Sequence, residues 1–468
     1  MRTSSILLTL VWVGLHAPIA AGQTAATIAI TNVTIVRVED GSRLPDQTVL
    51  VLGNRIVAVG ASKSISVPAR ARRVDGRGAF LIPGLWDMHV HAIRTSSPTI
   101  QGSIFGLFIA NGVTGVRDMG GYLDTLIAVE ALIARGEFGA VPRLMAAGPL
   151  LDGPKFRWSH PIAWHLESAA DARTAVDSLK RAGVDFLKIY GSLSRDAYFA
   201  VTAEARRAGL SFAGHIPTGV SAAEASTAGQ ASFEHNDMWV SGGCVDDAAT
   251  RVNTALTRWT REGYGAWFTE RRAFHAARDA ARCLKLQELF RKNGTRIVPT
   301  IVNEVKDHRV FMRPAFRYLD EEGKRACKAT VASIEQGPDS LREGFYADFR
   351  AEVQELRQAG IAILAGTDVP NPCLTPGFSL HDELEELVLA GLTPREALAA
   401  ATIGPAAFLG LSDSLGTIAP GMVADLVLLD ADPLVKVGNT TRIRAVFANG
   451  RPFGRRELDA MLPRLTSP

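Results

Sequence analysis

Short apolar runs alternate with helical stretches through the middle of the chain, and β-patterned segments flank them at both ends. These two observations predict an α/β protein: a (β/α)8 TIM barrel with a small composite β-sandwich formed by both chain ends. A third observation agrees with them. Potential metal-ligating side chains fall at the ends of predicted barrel strands, where barrels of this kind carry their chemistry.

The elements follow in order. Met1-Arg2, an apolar stretch from Ile6 to Leu15 and the small residues Ala20-Ala21-Gly22 read as a secretory signal peptide over 1–22, too short to span a bilayer. The expected mature protein is exported, periplasmic or secreted, with no membrane attachment after signal removal. Residues 23–78 are expected to form the N-terminal part of the sandwich. There Ile28-Ala29-Ile30, Val33–Val36, Val49–Leu52 and Ile56–Val59 are short strands separated by turn residues such as Gly53-Asn54. The barrel is expected over 79–412. Its eight candidate strands lie around Leu81–His89, Val113–Asp118, Arg143–Ala147, Phe186–Tyr190, Ser211–His215, Ala231–His235, Arg296–Ile301 and Ile361–Asp368. Two long connections, 236–295 and 302–360, carry helical pattern and read as lids, binding walls or oligomer contacts. Ser379 with Asp382 resembles a capping box, Thr393-Pro394-Arg395-Glu396 resembles another, and Gly391 is a stop between the two helices. Residues 413–468 return to β pattern at Ala424–Asp430 and Ile443–Phe447, with Asn449-Gly450 as a hairpin turn, and complete the sandwich.

Composition narrows the function. With 468 residues, 47% hydrophobic and 21% charged, the chain can bury a core large enough to hold a site rigidly. A formal net charge of +3 without a basic run gives no footprint for nucleic acid. Cys244, Cys283, Cys327 and Cys373 lack the close spacing of a structural zinc site, and their pairing is left open among three full connectivities.

His89 and His91 close the first barrel strand as Asp87-Met88-His89-Val90-His91. Positions i and i+2 of a strand point the same way, so both imidazoles can face one ion. His215 closes strand five and His235 strand six, while Asp368 follows Ala365-Gly366-Thr367 at the end of strand eight. Each residue alone is an ordinary polar group; together, imidazole nitrogens with a carboxylate suit zinc or another transition metal.

These segments, with Ile82–His91 and Phe186-Leu187-Lys188-Ile189-Tyr190, resemble the amidohydrolase superfamily over nearly all the mature chain. The resemblance is to the imidazolonepropionase-related branch that includes Xaa-Pro dipeptidases and ochratoxin-hydrolysing amidases. It implies two divalent metal ions, zinc foremost. His89 and His91 would hold one ion, His215 and His235 the other, with Asp368 on the first. Lys188, carboxylated by CO2, would bridge them. A carbamate, Asp368 and a bridging hydroxide would leave about one positive charge to stabilise the anion formed on attack. Asp368 would carry the proton to the leaving amine. The implied reaction is hydrolysis of a C–N amide bond in a dipeptide or N-acyl amino acid. The alternatives are a cyclic amide, a lactone or an ester, or a binding protein that has lost catalysis. Tyr190 and His160 are further candidates for contact with substrate. His165 competes with His160 for that role, and His381 reads as structural. Arg271, Arg272 and His275 read as a solvated helix face.

Overall fold

The computed structural model describes residues 27–154 and 161–462. The expected signal peptide and His160 lie outside these residues.

The two ends of the chain meet in one sheet. Its strands are β1 (Thr27–Val36), β2 (Arg43–Leu52), β3 (Arg55–Ala61), β4 (Arg72–Asp75), β5 (Phe80–Pro83) and, from the C-terminal part, β15 (Leu426–Leu429), β16 (Ile443–Ala448) and β17 (Arg451–Gly454). The order is β17-β16-β15-β5-β1-β2-β3, with β4 also paired to β1. The contact between the two ends is the antiparallel pair β15–β5, from Leu426 opposite Pro83 to Leu429 opposite Phe80. Ile30, Val33 and Val49 from one end bury against Leu426, Leu428 and Phe447 from the other, in a shared apolar core.

The middle of the chain is built from parallel strands and helices. β6 (Leu85–Val90), β7 (Val113–Asp118) and β8 (Arg143–Ala146) form one parallel run. The second contains β9 (Leu150–Asp152), β10 (Ala163–His165), β11 (Phe186–Ile189), β12 (Ser211–Gly214), β13 (Ser232–Glu234) and β14 (Arg296–Val298), in the order β10-β9-β11-β12-β13-β14. Asp185 N donates to Ala146 O, which joins the start of β11 to the end of β8.

The eighth expected strand, Ile361–Asp368, is not a regular strand. It lies between β14 and β6, touching each through a single parallel bridge, Ile363 to Ile297 and Val369 to Val90. Its backbone groups are shared among several neighbours: Leu364 N donates to Ile297 O, Ala365 N to Ala400 O, and Met88 N to Ala365 O. The Ala365 N–H, bonded to Ala400 O outside the strands, interrupts the ladder.

Both long connections are helical, as expected. The first contains helices Ala248–Glu262, Tyr264–Ala276 and Ala280–Asn293, and the second Glu321–Ile334 and Asp339–Gln358. Each is stapled by a disulfide: Cys244 to Cys283 within the first, and Cys327 to Cys373 between the second and the loop after Asp368.

The capping box at Thr393 is present, its hydroxyl accepting from Glu396 N while the Glu396 carboxylate accepts from Thr393 N. The one expected at Ser379 is not. That helix spans Phe378–Leu389 and starts from Gly377, so Ser379 lies inside it and accepts from Thr375 N, while Asp382 pairs with Arg313. A positive-φ Gly377 at 76° turns the chain into the helix two residues before the polar signal.

His381 on this helix is buried and bonds Asn111 O and Thr440 Oγ1, tying the helix to two neighbouring elements. Burial pushes its imidazole down to about 4. The unfolded chain therefore takes up a proton near pH 6.5 that the folded chain refuses until about pH 4. The contribution is fully present above pH 6.5 and is lost as pH falls through this window, by about 3 kcal/mol in all. Urea midpoints measured from pH 7 to pH 4 are expected to fall more steeply for the native protein than for His381→Gln. Equal slopes would show that His381 is not the group responsible.

Candidate metal centre

His89 and His91 lie at the end of β6 and share a face, as the strand period requires. His89 Nδ1 donates to Glu234 Oε2 at 2.8 Å, and His91 Nδ1 donates to Gly120 O at 2.7 Å. With Nδ1 so engaged, each ring turns Nε2 toward one atom, Asp368 Oδ1, at 3.4 Å and 3.3 Å. A metal-ligating imidazole is oriented in this way, by a hydrogen bond from its other nitrogen.

Glu234 is itself held. Arg117 from β7 donates through one terminal nitrogen to Glu234 Oε1 at 2.8 Å, through the other to Ser232 Oγ at 3.0 Å, and through Nε to Met88 O at 2.7 Å. All of these side chains are buried. Ser232 and Glu234, two apart on β13, point into this network together. His235, the next residue, would point the opposite way in a regular strand. Its φ of 69° breaks the alternation. The ring lies with its centroid 4.6 Å from that of His89 and 4.8 Å from that of His215. Its Nδ1 shares a hydrogen bond with Thr300 Oγ1 at 2.9 Å.

Lys188 is 1% exposed in the middle of β11. Burial, only partly offset by Glu234 and Asp368, pushes its amine down to about 8. His215 follows Gly214, whose φ is 130° and at which a Cβ would fall 2.2 Å from Ile189 O, so only glycine lets β12 run this close to β11. Burial, followed by the neighbouring Lys188, holds both His89 and His215 well below the ordinary imidazole value. They are neutral, the form that binds cations.

Asp368 has φ 64° and follows Gly366, where a Cβ would meet Val298 Cγ1 at 2.5 Å and His89 N at 2.9 Å. Burial raises its carboxyl, but His89, His235 and His91 outweigh that effect and hold it well below the usual carboxylate range. Positive φ at non-glycine residues is uncommon and collects at functional sites. Here His235, Asn236, Thr300 and Asp368 all have it.

The structure thus brings together His89, His91, Lys188, His215, His235 and Asp368. Tyr190 joins them edge-on to His215, at 4.4 Å between ring centroids. Arg271 departs from the expected solvated face: it is buried, with its guanidinium 5.4 Å from the Phe345 ring and also over Trp267 and Phe349. Its helix is covered by helix Asp339–Gln358 of the second connection, which sequence periodicity does not reveal. Arg272 pairs with Asp348 and remains 42% exposed, and His275 binds Glu352 at 2.8 Å. Sequence reading missed Glu234, Thr300, Asn303 and Asn371, which bond ligand candidates, and Arg117, which bonds Glu234. Glu234 had one signal, its position beside His235, which the alternation rule argued against.

His89 Nε2, Lys188 Nζ and His215 Nδ1 are buried without a hydrogen-bond partner. Orphaned polar atoms are costly, and three on neighbouring side chains fit a bound group. His89, His91 and Asp368 offer ligand atoms within 4.8 Å of one another. The donor set fits a divalent transition metal.

The parallel α/β fold and the donor set together fit a metal-dependent enzyme. The sequence profile of the amidohydrolase family matches residues 80–453, and the chain belongs to that family, whose members hydrolyse carbon–nitrogen bonds. Imidazolonepropionase of Ralstonia nicotianae is 28% identical over 417 residues, covering 85% of this chain and 90% of the relative. A solved Xaa-Pro dipeptidase with bound methionine superposes with a TM-score of 0.66 at 19% identity, over 92% of this chain and 100% of that one. The A. niger ochratoxinase structure has a TM-score of 0.62 at 19% identity, over 92% and 96%. At such identities the structural likeness establishes the fold. The branch expected from sequence is the one found.

Arg117→Met would leave the buried Glu234 carboxylate without its guanidinium partner, an expected loss of about 3–5 kcal/mol in stability. Adding Glu234→Gln is expected to return part of it. Denaturant titration of the three proteins checks this; a loss below about 1 kcal/mol would place the Arg117 contact among the weak ones.

Proposed function

We propose that the protein hydrolyses an amide C–N bond of a dipeptide or N-acyl amino acid at a centre of two divalent cations, zinc foremost. His89, His91 and Asp368 would hold one cation and His215 and His235 the other, with Lys188 between them as a carbamate. The observation that carries this reading is the set of three buried, partnerless atoms on neighbouring side chains: His89 Nε2, Lys188 Nζ and His215 Nδ1. Lys188 is the discriminating one. A buried amine shifted toward its neutral form can react with CO2, and the resulting carboxylate would use a position where an ammonium is poorly hosted.

When bound, the cations supply Lewis acidity and lower the pKa of water near neutral pH. The rest falls to side chains. The histidines are fixed by their Nδ1 contacts with Glu234, Gly120 and Thr300. Asp368, with Oδ1 toward His89 and His91, accepts the proton released on attack and returns it to the leaving amine. Tyr190, beside His215, orients a substrate carbonyl or carboxylate. His160 is a second candidate for that role. The strands would close into an eight-stranded barrel, with the Ile361–Asp368 segment as its eighth stave. The sheet of the chain ends would curl into the composite sandwich around its shared core. Residues 1–22 would direct export.

The test is a hydrolysis screen of the zinc-loaded protein against Xaa-Pro and other dipeptides, N-acyl amino acids, lactones and aryl esters. Turnover of a dipeptide or N-acyl amino acid is expected. It should disappear with a chelator, return with zinc, and fall at least about hundredfold in Lys188→Ala and in Asp368→Asn. Activity that survives both substitutions, or zinc content below one per chain in fully loaded protein, would refute the two-cation assignment. Turnover confined to lactones or esters would move the substrate class.

A further inference from the structure

Asp368 uses its two oxygens differently. Oδ1 faces His89 and His91, whereas Oδ2 accepts from two side-chain amides, Asn303 Nδ2 at 3.2 Å and Asn371 Nδ2 at 2.5 Å. The carbonyl end of the Asn303 amide is also engaged. Lys306 Nζ donates to Asn303 Oδ1 at 2.7 Å from a position 5% exposed. An ammonium only donates and a carboxylate only accepts. Turning the Asn303 amide over would set its NH2 against the ammonium and its carbonyl against Asp368. Lys306 thereby fixes which end meets the carboxylate.

Lys306 is held in turn. The Tyr346 hydroxyl, from helix Asp339–Gln358, bonds both its backbone N and its carbonyl. At the other end of the same short segment, Thr300 bonds His235 Nδ1 from a left-handed conformation of φ 48°. For a β-branched residue that conformation costs about 1–3 kcal/mol and persists only where the surroundings impose it. The Glu383 carboxylate accepts from Val302 N and secures the turn between them.

We infer that Asn303 and Lys306 are positioning residues for the metal centre: Lys306 orients Asn303, and Asn303 holds Asp368 with Oδ1 presented to the ion and Oδ2 withdrawn from it. Through Thr300, the segment 300–306 sets a candidate ligand of each cation, His235 and Asp368, from one piece of backbone. The proposal rests on the assignment of Asp368 as a ligand.

Zinc affinity, measured by competition with a chromophoric chelator, tests the relay independently of catalysis. Asn303→Ala and Lys306→Met are each expected to bind zinc about tenfold to hundredfold more weakly than the native protein. The double variant should bind no more weakly than Asn303→Ala alone, because Lys306 acts through Asn303. Lys306→Gln, which keeps a donor without the charge, should recover part of the loss and covers the case in which the Met variant does not fold. On any substrate found in the screen, kcat should fall while KM changes less than about twofold. Unchanged zinc affinity in both single variants, or losses that multiply in the double variant, would overturn the relay. A native protein that binds zinc and hydrolyses none of the substrates would fail the functional reading and still test this one.

Discussion

The constraint on which the rest of the structure depends is the hosting of charge away from water. Arg117, Glu234, Lys188 and Asp368 all lie within the protein interior. An isolated buried ion costs several kcal/mol, so such a group must be paired, neutralised or bound. Arg117 resolves part of this problem by reaching three strands at once, with Met88 O on β6, Ser232 and Glu234 on β13, and its own backbone in β7. Glu234 then has one oxygen left for His89. The cost of burying an ion pair is thereby converted into a fixed direction for a candidate ligand. Register between strands and orientation of the imidazole become a single property.

The same interior explains where the backbone departs from regular geometry. A strand offers side chains to one face at every second position, which suffices for His89 and His91. It does not suffice for Glu234 and His235, which are adjacent and both face the centre. A left-handed residue at His235 settles the conflict, and Asp368 and Thr300 adopt the same device at the ends of neighbouring segments. Gly214 and Gly366 allow the close approach of backbones that brings these ends together. The irregularity is local and lies where regular geometry cannot aim the required side chains.

Legibility in the sequence followed these same lines. The β6 pair was readable because period-2 alternation holds there. His215, His235 and Asp368 were readable as strand ends, because apolar runs mark where strands finish even when the last residue is irregular. Lys188 was not readable from residue type, since an amine in an apolar run looks like a snorkelling lysine; its role came from family resemblance, and its burial without a partner now supports it. Glu234 was hidden by the alternation rule itself. Asn303 and Lys306 were hidden because the bond from Asn303 to Asp368 spans 65 residues and the support of Lys306 by Tyr346 spans 40, distances over which local pattern carries no information. The Ser379 capping box failed for the opposite reason: a local pattern was present, but Gly377 had already started the helix.

The second long connection therefore belongs to the architecture of the centre and is more than a cover over it. It provides Tyr346, which clamps the Lys306 backbone, and Cys327, which binds Cys373 in the loop after Asp368. Asn371, in that loop, reaches the same Asp368 oxygen as Asn303. Asp368 is thus gripped from two directions by groups that both trace back to helices of one connection. A carboxylate held so tightly can present Oδ1 to an ion without reorganising. Through the inferred relay, the packing of the connection against the segment 300–306 would bear on the affinity of the proposed centre, because both amides on Oδ2 depend on it.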